Sequence, residues 1–409
     1  MRARVVERAL QDRRASFALP RGRGKGSALV AFALLAVLSF ASRDAAAFPQ
    51  FQFSSGTTRC GQCHYAPAGT GLINEWGRGE AGDTISRGGD GAFLHGLWTP
   101  PSWVALGGDF RLASLANAAG GPESPELVTF PMQADVYAHF IFPEGFSLNL
   151  IVGDRGITRP TDDSIGGRIT SATDRFISRE HYLMWRPSAT GPYARIGRYF
   201  PIYGLRLVEH IFYVRRFTGN ALYEEPYALS GGYIAEDWEV HASGFTAVPS
   251  GFPDFFQSIG PRESGGTAYG EKRFAGMAAL ALQGRVGIAD EEARYQGGAV
   301  GKLWFDPAKV MFLGEADVIR QQIKGSIGQT QFVSFTGLTY IPIRGLMATA
   351  AYERYQEDLS VKNTGHNAYD LEINFFPWAH IEVIGLGRVQ HNGDGSNATL
   401  GMLQFHYYL

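Results

Sequence analysis

The chain has 409 residues, of which 45% are apolar, 13% aromatic and only 19% charged, with 52 glycines and a formal net charge of −2. That length would allow two or three soluble domains. Only one apolar run comes near the roughly 20 residues a membrane helix needs, which excludes a polytopic helical membrane protein.

Residues 1–47 read as a secretory signal peptide. Eight basic residues from Arg2 to Lys25 precede the apolar run at 28–42, and Ala45-Ala46-Ala47 supplies the small-residue end, so cleavage is expected before Phe48. A membrane anchor is the other reading, but the run is short for one. Arg13-Arg14 lies too far from the apolar run to argue for twin-arginine export. Residues 1–47 carry nine Lys/Arg and three Asp/Glu, so their removal takes the net charge from −2 to −8. No nucleic-acid partner suits that charge.

Residues 48–101 form a Gly-rich, largely irregular segment around Cys60-Gly61-Gln62-Cys63-His64. Two cysteines three apart, followed at once by histidine, are the attachment signature of a c-type haem. The thiols would add to the porphyrin vinyl groups, and the histidine would supply the proximal imidazole. A redox disulfide would want a βαβ context that this sequence lacks. A zinc site needs four ligands, and the chain has no further cysteine. One covalent haem c is therefore expected at Cys60, Cys63 and His64. The stretch 72–78, Leu-Ile-Asn-Glu-Trp-Gly-Arg, reads as a short turn packed on the porphyrin.

Residues 102–409 change texture. Segments of about ten residues alternate in polarity between turn residues, as transmembrane strands do. Tyr369, Leu371, Ile373 and Phe375 oppose Asp370, Glu372 and Asn374, and Leu403, Phe405 and Tyr407 oppose Gln404, His406 and Tyr408. Short turns at 143–145, 188–191, 236–237, 306–308, 342–344 and 377–379 alternate with longer links at 156–176, 201–222, 250–270, 322–329, 358–365 and 391–397. With a pair of strands near 273–305, the count reaches about 16. The expected fold is an all-β antiparallel outer-membrane β-barrel whose lumen takes up residues 48–101 as a plug, with both barrel termini on the periplasmic side. A soluble β-sandwich or propeller also alternates.

A haem inside such a lumen could meet an extracellular donor and a periplasmic acceptor. For the sixth iron ligand the sequence offers His95, the only other histidine before the barrel. Met132 shares the phase of Val128, Phe130 and Val136 and would face lipid, whereas His139 shares the inward phase of Gln133 and Asp135. Asp370, Glu372, Glu382, Glu353, Glu315 and Asp317 fall on lumen phases, and carboxylates suit divalent cations, so they form a candidate cation path. Barrel interiors are polar in any case. Residues 197–216 have a helical rather than a strand period, which reads first as an outer loop and otherwise as a link folded into the pore with Tyr203, His210 and Tyr213 near the haem.

The layout of a signal peptide, one CxxCH near the mature N-terminus and a barrel to the end resembles the fused cytochrome–porins of the bacterial outer membrane. Phe51, the Cys60–His64 motif and the stretch 72–78 carry the local resemblance; the lead-in 52–55 is less basic than is usual in that family. The resemblance implies electron transfer across the outer membrane between a periplasmic cytochrome or other carrier and an extracellular partner, in some members oxidation of Fe(II). A small-solute channel with a structural or sensory haem, and electron export to an extracellular acceptor, are the alternatives.

Overall fold

The computed structural model describes residues 48–67, 69–119, 126–154, 176–221, 224–248 and 263–409. The expected signal peptide, 1–47, lies outside the described residues, as do most of the links expected at 156–176 and 250–270.

Sixteen antiparallel strands close into one barrel, each hydrogen-bonded to its neighbours in sequence. The first, β1 (Val104–Ala119), pairs with the last, β16 (Asn397–Tyr408), from Asp109 opposite Tyr408 to Ala119 opposite Ala398. Closure leaves no strand edge unpaired, which a sheet surrounded by lipid requires. The pair expected near 273–305 is β9 (Ala278–Ile288) and β10 (Glu292–Phe305). β8 begins at Ser264, inside the link expected at 250–270, because Gly265 and Gly266 give that part of the strand the composition of a loop.

Links of two to five residues close one end, at 142–145, 186–190, 235–237, 275–277, 306–309, 344–345 and 379–380. The other end carries longer links, among them 199–226 and 357–364, with a tight one at 289–291. Both barrel termini lie at the short-link end, where the Leu409 amide bonds to the Gly108 carbonyl at 2.9 Å. The outer face is apolar, with Leu127, Leu229, Leu280, Leu282, Leu371 and Leu403 all exposed. Trp103, Phe142, Phe146, Trp238, Phe274, Phe305 and Trp378 are exposed beside the short links, the aromatic girdle of a membrane-spanning barrel. No helix among the described residues is long and apolar enough to cross a membrane.

Two stretches of chain enter the lumen. Residues 48–67 and 69–92 pack inside the short-link end, and 93–101 lie at its rim. Phe48 and Phe51 meet Phe376 of β14 (Gly365–Trp378) edge to face, with centroids 6.1 and 5.9 Å away. Arg344 donates to the carbonyls of Ser86 and Gly82, Lys302 donates to Gln52 Oε1 at 2.9 Å, and Arg186 donates to the Gly61 carbonyl at 3.2 Å. The described stretch 199–221 of the next long link folds inward as well. Ile202, Leu205, Phe212, Tyr213 and Val214 bury themselves against Met311, Leu313, Val333 and Phe335 on the inner wall. Part of the lumen is therefore an apolar core rather than the water-filled interior usual in large barrels.

Arg344→Ala would leave two buried plug carbonyls without their donor, at a cost of about 1–3 kcal/mol. The expected outcome is faster amide exchange and proteolysis within 81–93, with the barrel's resistance to detergent unfolding unchanged.

Candidate haem site in the lumen

Residues Cys60–Cys63 form one helical turn, α1, closed by the His64 amide on the Cys60 carbonyl at 3.2 Å. One turn places both sulfurs and the following imidazole on a single short stretch, which attachment of one porphyrin demands. Neither cysteine is in a disulfide. Burial pushes the Cys63 thiol up to about 12, opposite to the lowered value of a redox-active CxxC thiol.

The turn is held by the next segment of chain. The Asn74 amide donates to the Cys63 carbonyl at 2.8 Å, and its side chain donates to the Gln62 carbonyl at 3.0 Å. The same side chain caps α2 (Glu75–Glu80) by accepting from the Gly77 amide at 2.9 Å. Gly77 can be nothing larger, because a Cβ there would lie 2.3 Å from the Cys63 carbonyl oxygen. Gly69 has φ of +77°, and a Cβ on it would strike the Cys60 Cβ at 2.4 Å. Within the stretch 72–78, Ile73 faces the site as expected, but Trp76 is 56% exposed and packs on nothing there.

His64 lines a cavity of about 210 Å³ between the plug and the inward link, open to solvent on one side. Gly69 and Gly77, the residues covering the two cysteines, also line it, together with Phe48, Ile73, Ala81, Ile85 and Phe376 on the apolar side. Leu207, Val208 and His210 form the facing wall from the inward link.

Four arginines reach the cavity. Arg111 is paired with Asp109 at 2.7 Å and Arg179 with Asp135 at 2.5 Å. Arg215 is spent on the carbonyls of Leu207, Val208 and Asn220. Arg206 has all three guanidinium nitrogens buried with no hydrogen-bond partner among the described residues, its charge lying 5.2 Å above the Tyr269 ring. Glu239 and Glu271 offset its charge without bonding it, so its donors stay open to a bound carboxylate. Two thiols and an imidazole on one turn, an apolar wall and a guanidinium with open donors together fit a haem with its carboxylates.

The sequence candidates fall in different places. His95 is exposed on a rim segment, its Nε2 3.2 Å from the Tyr407 hydroxyl and its ring 5.1 Å from that of His380, and it does not line the cavity with His64. His139 faces inward but stacks on Tyr65 at 4.0 Å, outside the cavity lining. Met132 does line the cavity. The register of β1 with β2 (Glu126–Ile141) slips there, Arg111 facing Gln133 while Leu112 faces Pro131, and this bulge overturns the lipid-facing phase expected for Met132.

The lumen carboxylates are bound up by the inward link and by arginine. Glu315 accepts from the Leu205 amide at 2.7 Å, Asp317 from the Tyr203 hydroxyl at 2.6 Å, and Glu353 from the Tyr213 amide. Asp370 is paired with Arg388 at 2.7 Å, and Glu382 contacts His406 at 2.7 Å and Asn374 at 3.0 Å. Glu372 is buried in the same wall. No cluster of three or more metal-ligating side chains occurs among the described residues. Most of these carboxylates anchor chain.

No family model and no curated protein matches the sequence. Among solved structures the chain is similar to OmpT, an outer membrane protein of Vibrio cholerae (in-vitro folded, trimer form), with a TM-score of 0.56 and 12% identity over 75% of this chain and 99% of that one. It is also similar to OprB of Pseudomonas putida, at TM-score 0.56 and 10% identity over 75% and 94% of the two chains. An anion-selective porin from Comamonas acidovorans gives 0.56 and 10% over 75% and 99%. At such identities the likeness is one of fold, and that fold is the 16-stranded porin barrel.

Glu315→Ala would strip the Leu205 amide of its acceptor, at about 1–3 kcal/mol. Amide exchange over 203–213 should rise well above that of the neighbouring strands, read by mass spectrometry in detergent.

Proposed function

We propose that this chain is an outer-membrane cytochrome–porin that moves single electrons across the membrane through one covalent haem c in the barrel lumen. The observation that carries the reading is the Cys60–Cys63 turn whose His64 lines a cavity enclosed between plug and inward link. Cys60 and Cys63 would hold the porphyrin and His64 its iron, and the bound group would supply a one-electron redox centre. The wall supplies enclosure, Asn74 and Gly77 fix the attachment turn, and Arg206 offers charge to the haem carboxylates. The short-link end, where the plug enters, is read as periplasmic, facing a soluble cytochrome or other carrier.

Aromatic contacts run from the inward link toward the long-link end. Tyr213 and Phe217 lie 5.5 Å apart, Phe217 stacks on Tyr355 at 3.8 Å, and Tyr355 stacks on His366 at 6.0 Å. His366 Nε2 is 3.1 Å from Glu357 Oε1, beside the link 357–364. That column would carry electrons to or from an extracellular partner at the long-link end, Fe(II) being the donor that the family resemblance implies.

A solute channel is the second reading, favoured by the fold shared with the anion-selective porin from Comamonas acidovorans. Against it stand the plug and the inward link, which occupy the lumen. Stopped-flow mixing with Fe(II) should reduce the purified protein, more slowly in Tyr355→Leu, while planar bilayers should show no porin-sized conductance. A chain that Fe(II) leaves oxidised at every pH, and that conducts ions freely, would be a channel.

A further inference from the structure

We propose that His210 is the second axial ligand of the same iron, so that the described stretch 199–221 of the inward link bears half of the coordination. This inference rests on the haem reading above. His64 enters the cavity from the plug and His210 from the facing link. His210 is half-buried, and its ring makes no hydrogen bond or ion pair among the described residues. Of the other donors lining the cavity, His406 belongs to the strand wall, where Nδ1 bonds Glu382 at 2.7 Å and Nε2 lies 3.2 Å from the Asp109 carboxylate without a hydrogen bond. Tyr137 and Tyr408 offer phenols, a poorer match to a c-type iron than imidazole. Met132 reaches the cavity from the strand wall, where the β1–β2 register slips.

His210 is also held where a ligand must be held. On one side, the Leu205 and Gly204 amides donate to Glu315 and Gln283, each at 2.7 Å. On the other, Arg388 donates to the Ile211 carbonyl at 2.9 Å and the Tyr213 amide donates to Glu353. Anchors within six residues on both sides fix the backbone without touching the ring, and a ligand fixed in this way loses little freedom on binding. A small-solute porin would have no need of such an imidazole. The many wall bonds of the link are accounted for if it positions a ligand.

The test uses full-length protein in detergent. Haem that stays with the chain on a denaturing gel, read by peroxidase stain, reports attachment, and the electron paramagnetic resonance and electronic spectra of the oxidised protein report coordination. Wild type should be low-spin with two nitrogen ligands. His210→Ala should keep the stained band but turn high-spin, and added imidazole should restore the low-spin state, binding at least about tenfold tighter than to wild type. His210→Met should be low-spin with a sulfur-to-iron charge-transfer band, and His95→Ala should match wild type. A stained His210→Ala protein that stays low-spin, or a loss of the low-spin state in Met132→Leu instead, overturns the assignment and leaves the haem reading standing. A wild-type chain without stain overturns that reading first.

Discussion

Closing a 16-stranded sheet obliges every inward side chain to find a partner inside the ring, and the rest of this molecule depends on how that demand is met. Water meets it in a channel. Here it is met by two stretches of the same chain, which bring backbone amides to Glu315 and Glu353, a hydroxyl to Asp317 and plug atoms to Lys302 and Arg344. A buried carboxylate left without donors is far more costly than one that accepts backbone N–H bonds. The wall and its filling are therefore mutually required. The cavity beside His64 is the space that this filling leaves.

Much of the architecture was legible in the sequence, because a strand facing lipid on one side has to alternate and a barrel has to turn tightly at one end. The strand count, the two kinds of link and the plug follow from that alternation and from the position of the motif. The interior was less legible. Along β11 (Val310–Ile323), Met311 and Leu313 point inward and Val310 and Phe312 point outward, so alternation gives no sign that an apolar core lies inside. The helical period of 197–216 was the one local sign, and it marks the segment that folds into the lumen.

The site residues divide along the same line. Cys60, Cys63 and His64 were legible as candidates because their spacing is the attachment signature of a c-type haem. Met132 was misplaced because a bulge at Pro131 reverses the phase, and a bulge leaves no trace in a pattern of alternation. Asn74 and Gly77 matter through atoms more than ten residues away, and Arg206 through the absence of an acceptor, which only the packed chain reveals. The carboxylates looked like an ion path because sequence gives their side of the strand and not their partners. Glu315 finds its partner Leu205 across 110 residues.

The central claim is that an iron-porphyrin is bonded to Cys60 and Cys63 inside the barrel. The pyridine haemochrome spectrum of membrane-purified protein, from cells that mature c-type cytochromes, tests it most directly. The account predicts one thioether-linked haem per chain, resistant to acidified acetone and abolished in Cys60→Ala/Cys63→Ala. A colourless protein, or a haem that the solvent extracts, would contradict it.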